Sequence, residues 1–198
     1  MIPGLEVVLG VGDRRLAAAP GDLGVAAAHV RGARLVPEAE VHRTAVLEFL
    51  AHHHDALHRS CVAGHLTGSA AVVDASRART LLMLHRKLGR WFQPGGHADG
   101  DGNLAGVALR EATEETGLDR LQLWLPAIDV DVHEVAPPGE PPHLHLDVRF
   151  LVVAPAGATE RGNHESLALR WVDVGGLDAL DPDVDSSTRR LVARALGP

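Results

Sequence analysis

Residues 110–118 read Arg-Glu-Ala-Thr-Glu-Glu-Thr-Gly-Leu and place carboxylates at Glu111, Glu114 and Glu115. On a helix the spacing i, i+3, i+4 gathers all three on one face, with neighbouring Cβ atoms about 5–6 Å apart. Like charges so arranged weaken an isolated helix, so the pattern asks for a compensating positive charge. A Gly-rich turn running from Gly95 to Gly102 leads into this segment, and glycine lets backbone approach a ligand closely. A hard divalent cation held by carboxylates, its remaining positions taken by water and phosphate oxygens, matches the chemistry of Mg2+. An acidic solvated helix face would not require Arg-Glu and Glu-Glu in this register.

The helix that carries these acids is expected over about residues 104–116. The chain changes character near residue 65. Before that point the pattern is helical: Pro37-Glu38-Ala39-Glu40 suits a first helical turn, and Val46, Phe49, Leu50, His53 and Leu57 follow at helical spacing. A shorter helix is expected over residues 22–30, so residues 1–64 form an N-terminal helical extension. Strands are expected over residues 68–74 and 80–84, then 121–132 and 143–154, the latter two joined by the loop Pro137-Pro138-Gly139-Glu140-Pro141-Pro142. A strand over 167–172 and a helix over 186–196 follow.

The stretch Gly96–Leu118 resembles the Nudix box of MutT-like hydrolases, G-x5-E-x7-R-E-U-x-E-E-x-G-U with U a bulky aliphatic residue. Gly96, Arg110, Glu111, Glu114, Glu115, Gly117 and Leu118 take its positions, and Trp91-Phe92-Gln93-Pro94-Gly95 resembles the family's W-x-x-P-G lead-in. Ala112 fills an aliphatic position. Gly102 stands where the family usually has Glu, with Asp99 and Asp101 close but out of register. In the family that Glu is mainly a supporting residue, so Gly102 either forgoes loop support alone or occupies a φ > 0 position. The resemblance implies an α+β Nudix fold, a mixed β-sheet sandwich flanked by helices, over residues 65–198. It also implies a Mg2+-dependent hydrolase (Mn2+ as a substitute) that cleaves the diphosphate linkage of a nucleoside diphosphate joined to another group X. Glu111, Glu114 and Glu115 would hold the cation with the Gly95 carbonyl, and Arg110 would orient the carboxylates by ion pairing. A box glutamate or Glu165 would accept a proton from the attacking water. The family resemblance further implies a homodimer.

Other residues compete for roles. His85, Arg86, Lys87 and Arg90 form a basic cluster before the box, where family members place cations against a polyphosphate, and Gly96 would join them in binding substrate. A solvated turn is the alternative. His143, His145, Asp147 and Arg149 alternate with Leu144, Leu146, Val148 and Phe150, so the polar four share one sheet face, either solvated or lining a site. Glu165 precedes the last strand as do the extra acids that Nudix enzymes recruit, with Glu134 and Glu160 as weaker candidates. His52-His53-His54 is expected at the surface, its members pointing different ways.

Composition bounds the reading. The 198 residues suit one domain or one plus an extension. A net charge of −7 argues against tight nonspecific binding to a nucleic-acid backbone. Cys61 is the single cysteine, which excludes an internal disulfide and suits a reducing cytoplasm. No run approaches the roughly 20 apolar residues that span a bilayer. Two rival classes stay in view. One is a catalytically silent Nudix-fold protein that binds a nucleotide-derived effector, against which the intact glutamates speak. The other resembles an isopentenyl-diphosphate isomerase and would use Cys61 and His65.

Overall fold

Side chains alternating between two faces build the strands of this chain, and side-chain caps open α-helices at Asp22, Asn103 and Asp185. The computed structural model describes residues 2, 4–10, 12–136 and 139–197, and the side chains of these except Val8 and Leu9. In chain order the strands are β1 (Glu6–Leu9), β2 (Gly64–Val73), β3 (Thr80–His85), β4 (Trp91–Phe92), β5 (Gly95–His97), β6 (Gln122–Val135), β7 (His143–Val153) and β8 (Ser166–Val172). The helices are α1 (Leu23–Gly32), α2 (Glu40–His52), α3 (Leu104–Thr116) and α4 (Ser186–Leu196). A short 3-10 turn, Pro37–Ala39, precedes α2 and uses the proline expected there.

Side chains mark the helix starts. Asp22, Asn103 and Asp185 accept hydrogen bonds from the amides of Val25, Gly106 and Thr188, satisfying first-turn N–H groups that the helix itself cannot. Gly117 ends α3 in the left-handed conformation, φ 64°, and its amide donates to Thr113.

The strands form one open mixed sheet in the order β1-β6-β7-β2-β3-β4, with β5 paired to β2 and β8 to β3. β2 and β7 run parallel through the middle, with His65 beside His145 and Ser69 beside Arg149. On one sheet face Leu66, Ala70, Val72, Val130, Leu146, Val148 and Phe150 pack with Leu104, Ala108 and Ala112 of α3. Ala26, Val30, Val46, Leu50 and Leu57 share this core, so the helical stripe expected before residue 65 lies against the sheet. On the other face Ala71, Val73, Ile128 and Leu151 meet Leu191 and Ala195 of α4.

The structure corrects several expectations. The N-terminal segment is not wholly helical, because β1 pairs antiparallel with β6, from Glu6 opposite Leu125 to Leu9 opposite Gln122. α2 stops at His52; His53 leaves it, its ring stacked on Phe49 at 4.0 Å. β2 begins four residues early because Gly64–Thr67 already pair with Leu144–Asp147 of β7. Pro137 and Pro138 of the expected loop lie outside the described residues. The polar face of β7 is not solvated at its centre: Asp147 and Arg149 are each 2% exposed. Arg149 bonds Asp147 at 2.7 Å, Asp129 at 3.1 Å and Asp131 at 3.2 Å, and Arg190 of α4 bonds both Asp129 and Asp131. Buried charge persists only when paired, and here the pairing docks α4. No helix among the described residues is long and apolar enough to cross a membrane.

Candidate active site

The loop between β5 and α3 brings the acids of α3 to the lead-in glycines. The Gly95 amide donates to Glu115 Oε2 at 2.9 Å, fastening the buried end of the acidic face to β5. Gly96 carries no side chain because Glu111 fills that space: a Cβ there would lie 2.6 Å from Glu111 Cδ. Arg110 donates to Glu111 Oε1 at 3.1 and 3.3 Å, the ion pair expected of it. Glu111 is half-buried, Glu115 is buried and Glu114 is exposed. Glu114 therefore sits away from the Gly95 contact, lining a groove with Gly12, Leu16 and Arg110.

Crowding raises the proton affinity of these carboxyls. Burial pushes Glu115 up to about 8; the Gly95 amide opposes the rise, while Glu111 and Glu165 add to it. Burial also raises Glu111, against the pull of Arg110 and with the push of Glu114 and Glu165. Glu165, on the loop before β8, thus faces the same two glutamates. Its loop is held by the basic cluster: the Arg86 amide donates to Glu165 O at 2.8 Å and its guanidinium to His164 O and Ser166 O. His85 accepts from the Leu88 amide at 3.3 Å, and Lys87 is exposed. Among the other acids, Glu160 accepts from Trp171 Nε1 at 2.8 Å, and Glu134 is exposed on β6.

The donor set suits a hard cation. Two desolvated carboxylates beside a third, with one arginine among them, leave negative charge that a divalent ion bound by oxygen would offset. Both nearby aspartates already serve the loop. Asp99 is bound at both oxygens by Arg59 at 2.8 Å, and Asp101 Oδ1 accepts from the amides of Ala19 and Asn103 at 2.8 Å.

Gly102 has a physical reason that neither sequence expectation anticipated. Its φ is not positive. Instead, a Cβ at this position would lie 2.1 Å from Asp22 O and 3.1 Å from Ala19 O. The chain before α1 occupies the room a side chain would need. Ala19 O accepts from the Gly102 amide at 2.9 Å, the Gly21 amide donates to Gly100 O at 2.8 Å, and Asn103 Nδ2 donates to Arg15 O and Ala17 O. Main-chain and Asn103 contacts from residues 15–22 therefore brace the loop where the family commonly uses a glutamate. No motif in the sequence announces this, since its partners lie some eighty residues upstream and act through backbone.

Cys61 is buried; its Sγ lies 3.8 Å from His53 Nδ1, and burial pushes its thiol up. His65 stands on β2 among other imidazoles, where burial lowers His97 to about 4 and His145 to about 3.

Comparison with known proteins agrees with this architecture. No curated protein sequence matches the chain. Among solved structures, a NUDIX family hydrolase from Clostridium perfringens is similar at 22% identity and a TM-score of 0.51, over 67% of this chain and 95% of that one. A C. elegans Ap4A hydrolase is similar at 16% identity and a TM-score of 0.53, over 65% and 93%. The E. coli dihydroneopterin triphosphate pyrophosphohydrolase is similar at 20% identity and a TM-score of 0.52, over 65% and 92%. These likenesses establish the fold. The NUDIX domain model matches residues 65–195, and with the glutamate register of α3 and the glycine lead-in on β5 the chain belongs to the Nudix family.

Proposed function

We propose that this chain is a Mg2+-dependent pyrophosphohydrolase that cleaves the diphosphate linkage of a nucleoside diphosphate joined to another group X. The observation that carries the reading is the convergence of Glu111, Glu115 and Glu165 beside the Gly95–Gly96 backbone, with Glu115 raised to about 8 by burial and by its acidic neighbours. A cation bound there, Mg2+ or in its place Mn2+, would offset charge on phosphate oxygens and lower the pKa of the attacking water.

The chain's own residues supply the rest. Glu111 and Glu115, with the Gly95 carbonyl and with Glu114 from the exposed side of α3, would hold the cation, and Arg110 keeps Glu111 oriented. Glu165 is exposed and so reachable by water, which suits it to accept the proton. Arg86 positions Glu165 through the loop backbone. His85 beside Glu165 and Gly96 against Glu111, with Lys87 next to His85, would contact the substrate phosphates. A homodimer is proposed with this function. The test is a screen of ADP-ribose, nucleoside triphosphates and nucleotide sugars with Mg2+, scoring nucleotide and phosphate release; Ap4A and dihydroneopterin triphosphate join as the named substrates of structural neighbours. Turnover of at least one, abolished by EDTA, supports the reading; no turnover of any, or turnover indifferent to EDTA, refutes it.

A further inference from the structure

Five imidazoles meet on the sheet face turned away from α3. His65 comes from β2, His97 from β5, His133 from β6, and His143 and His145 from β7. Ring centroids of His65 lie 4.8 Å from His97 and His143 and 5.1 Å from His145, and His145 lies 5.6 Å from His133. The convergence follows from register: His65 is beside His145 across the parallel β2–β7 pair, and His133 is opposite His145 across β6–β7. Side chains in register on one face of adjacent strands must point the same way.

The cluster is not built as a packing core. Both ring nitrogens of His65 and Nε2 of His145 are buried without a hydrogen-bond partner. A neutral imidazole carries one N–H and one lone pair, and burying either without a partner is costly enough that buried polar groups are nearly always bonded. His143 shows the opposite preparation. Its Nδ1 lies 2.9 Å from Pro141 O, and a carbonyl can only accept, so Nδ1 holds the proton and Nε2 presents its lone pair. His133 Nδ1 lies 2.9 Å from Asp131 Oδ2 in the same way. Carbonyl and carboxylate partners that fix the tautomer and orientation of an imidazole are the usual outer shell of a metal-ligating histidine.

One ring nitrogen from each of His65, His143 and His145 lies within 4.8 Å of the other two. Tetrahedral ligands at Zn–N distances of about 2.0–2.1 Å stand roughly 3.3 Å apart, so modest rotations of the rings close the gap. The donors are imidazoles, which suit Zn2+, Co2+ or Ni2+ and not the oxygen-seeking Mg2+. The nearby guanidinium of Arg59 is paired to Asp99 at 2.8 Å.

We propose that His65, His143 and His145 form a transition-metal site, distinct from the carboxylate site on α3 in donor chemistry and in sheet face, with His97 and His133 flanking it. It takes a Zn2+-class divalent ion and clamps β7 to β2.

The test uses full-length protein freed of any histidine tag, stripped of metal and held in excess Mg2+ to saturate the box carboxylates. Co2+ is the spectroscopic probe and Zn2+ the competitor. One equivalent of Co2+ should bind with intense visible bands typical of low-symmetry nitrogen coordination, Zn2+ should displace it, and Zn2+ should raise the melting temperature. His145→Gln and His143→Gln should each weaken Co2+ binding at least tenfold, whereas Glu115→Gln should leave it within twofold. Two histidine variants are used so that a folding defect in one leaves the other decisive. Absence of stoichiometric Co2+ binding, binding by both histidine variants as tight as by the wild type, or loss of binding in Glu115→Gln would overturn the site.

Discussion

Gly102→Ala is the smallest change that challenges the contact between the N-terminal segment and the box loop. The added Cβ would sit 2.1 Å from Asp22 O, 2.9 Å from Asp22 C and 3.1 Å from Ala19 O. These are backbone atoms, so no side-chain rotation relieves them. Ordinary carbon–oxygen contacts lie at about 3.3–3.6 Å, and the two segments must separate by more than about 1 Å. If the structure absorbs this strain as overpacking, the cost is about 1–3 kcal/mol. If the segment lifts instead, the bonds Gly102 N to Ala19 O, Gly21 N to Gly100 O and Ala19 N to Asp101 are lost, each worth about 0.5–1.5 kcal/mol net. Both routes arrive at similar totals. At about 2–4 °C per kcal/mol for a chain of this size, the melting temperature should fall by roughly 2–18 °C. Limited proteolysis should also cut first between residues 12 and 22 in the variant. Gly102→Glu, which restores the family's usual residue, should be worse than alanine. A Gly102→Ala protein that melts with the wild type and shows the same cleavage pattern would refute this packing argument.

Three further outcomes are expected. In metal-free protein Glu115 titrates near about 8 when folded, against an ordinary value of 4.5. The folded state therefore binds the extra proton, and the resulting stability is complete below about 4.5, declines as pH rises and is gone above about 8. Melting in EDTA across that range should show the decline, and Glu115→Gln should flatten it; an unchanged slope would contradict the assignment. Glu165→Gln should lower kcat by about 10²–10⁴-fold if Glu165 accepts the water's proton, and should bring the Glu115 titration down; wild-type kcat would return that role to a box glutamate. Removing residues 1–64 takes β1 from the sheet and Val30, Val46 and Leu50 from the core, so residues 65–198 alone should aggregate or unfold. A soluble fragment with unchanged melting would show the extension to be dispensable.

Local signals made α3 and α4 legible to the residue, since caps at Asn103 and Asp185 and the Gly117 stop are written beside the helices they bound. Period-two alternation likewise revealed β7. Strands of two to four residues were not legible: β4, β5 and β1 lack a pattern of their own and exist because β3, β2 and β6 offer them an edge. The acids of α3 were legible by spacing, and the structure places Glu165 beside them. Two features depended on long-range register and stayed hidden. The partner of Gly102 is backbone near Ala19 and Asp22, and His65, His97 and His133 reach the histidines of β7 only through strand pairing. One signal could have found the buried network, Asp147 and Arg149 two apart on β7 with Asp129 and Asp131 two apart on β6, but its cover by α4 required the fold.

The central claim, that the acidic face of α3 is a catalytic cation site, is tested most directly by the Mg2+-dependent turnover of Glu115→Gln on a substrate the wild type hydrolyses. The substitution keeps the size of the side chain and removes only its charge. Because Glu115 is buried among like charges, the metal-free variant should fold and melt at or above the wild type. The account predicts that kcat falls on the order of 10²–10⁴-fold, the scale of losing one acid–base or charge-stabilising group, and that more Mg2+ is needed for half-maximal rate. Turnover and Mg2+ dependence close to wild type in a folded Glu115→Gln protein would contradict it.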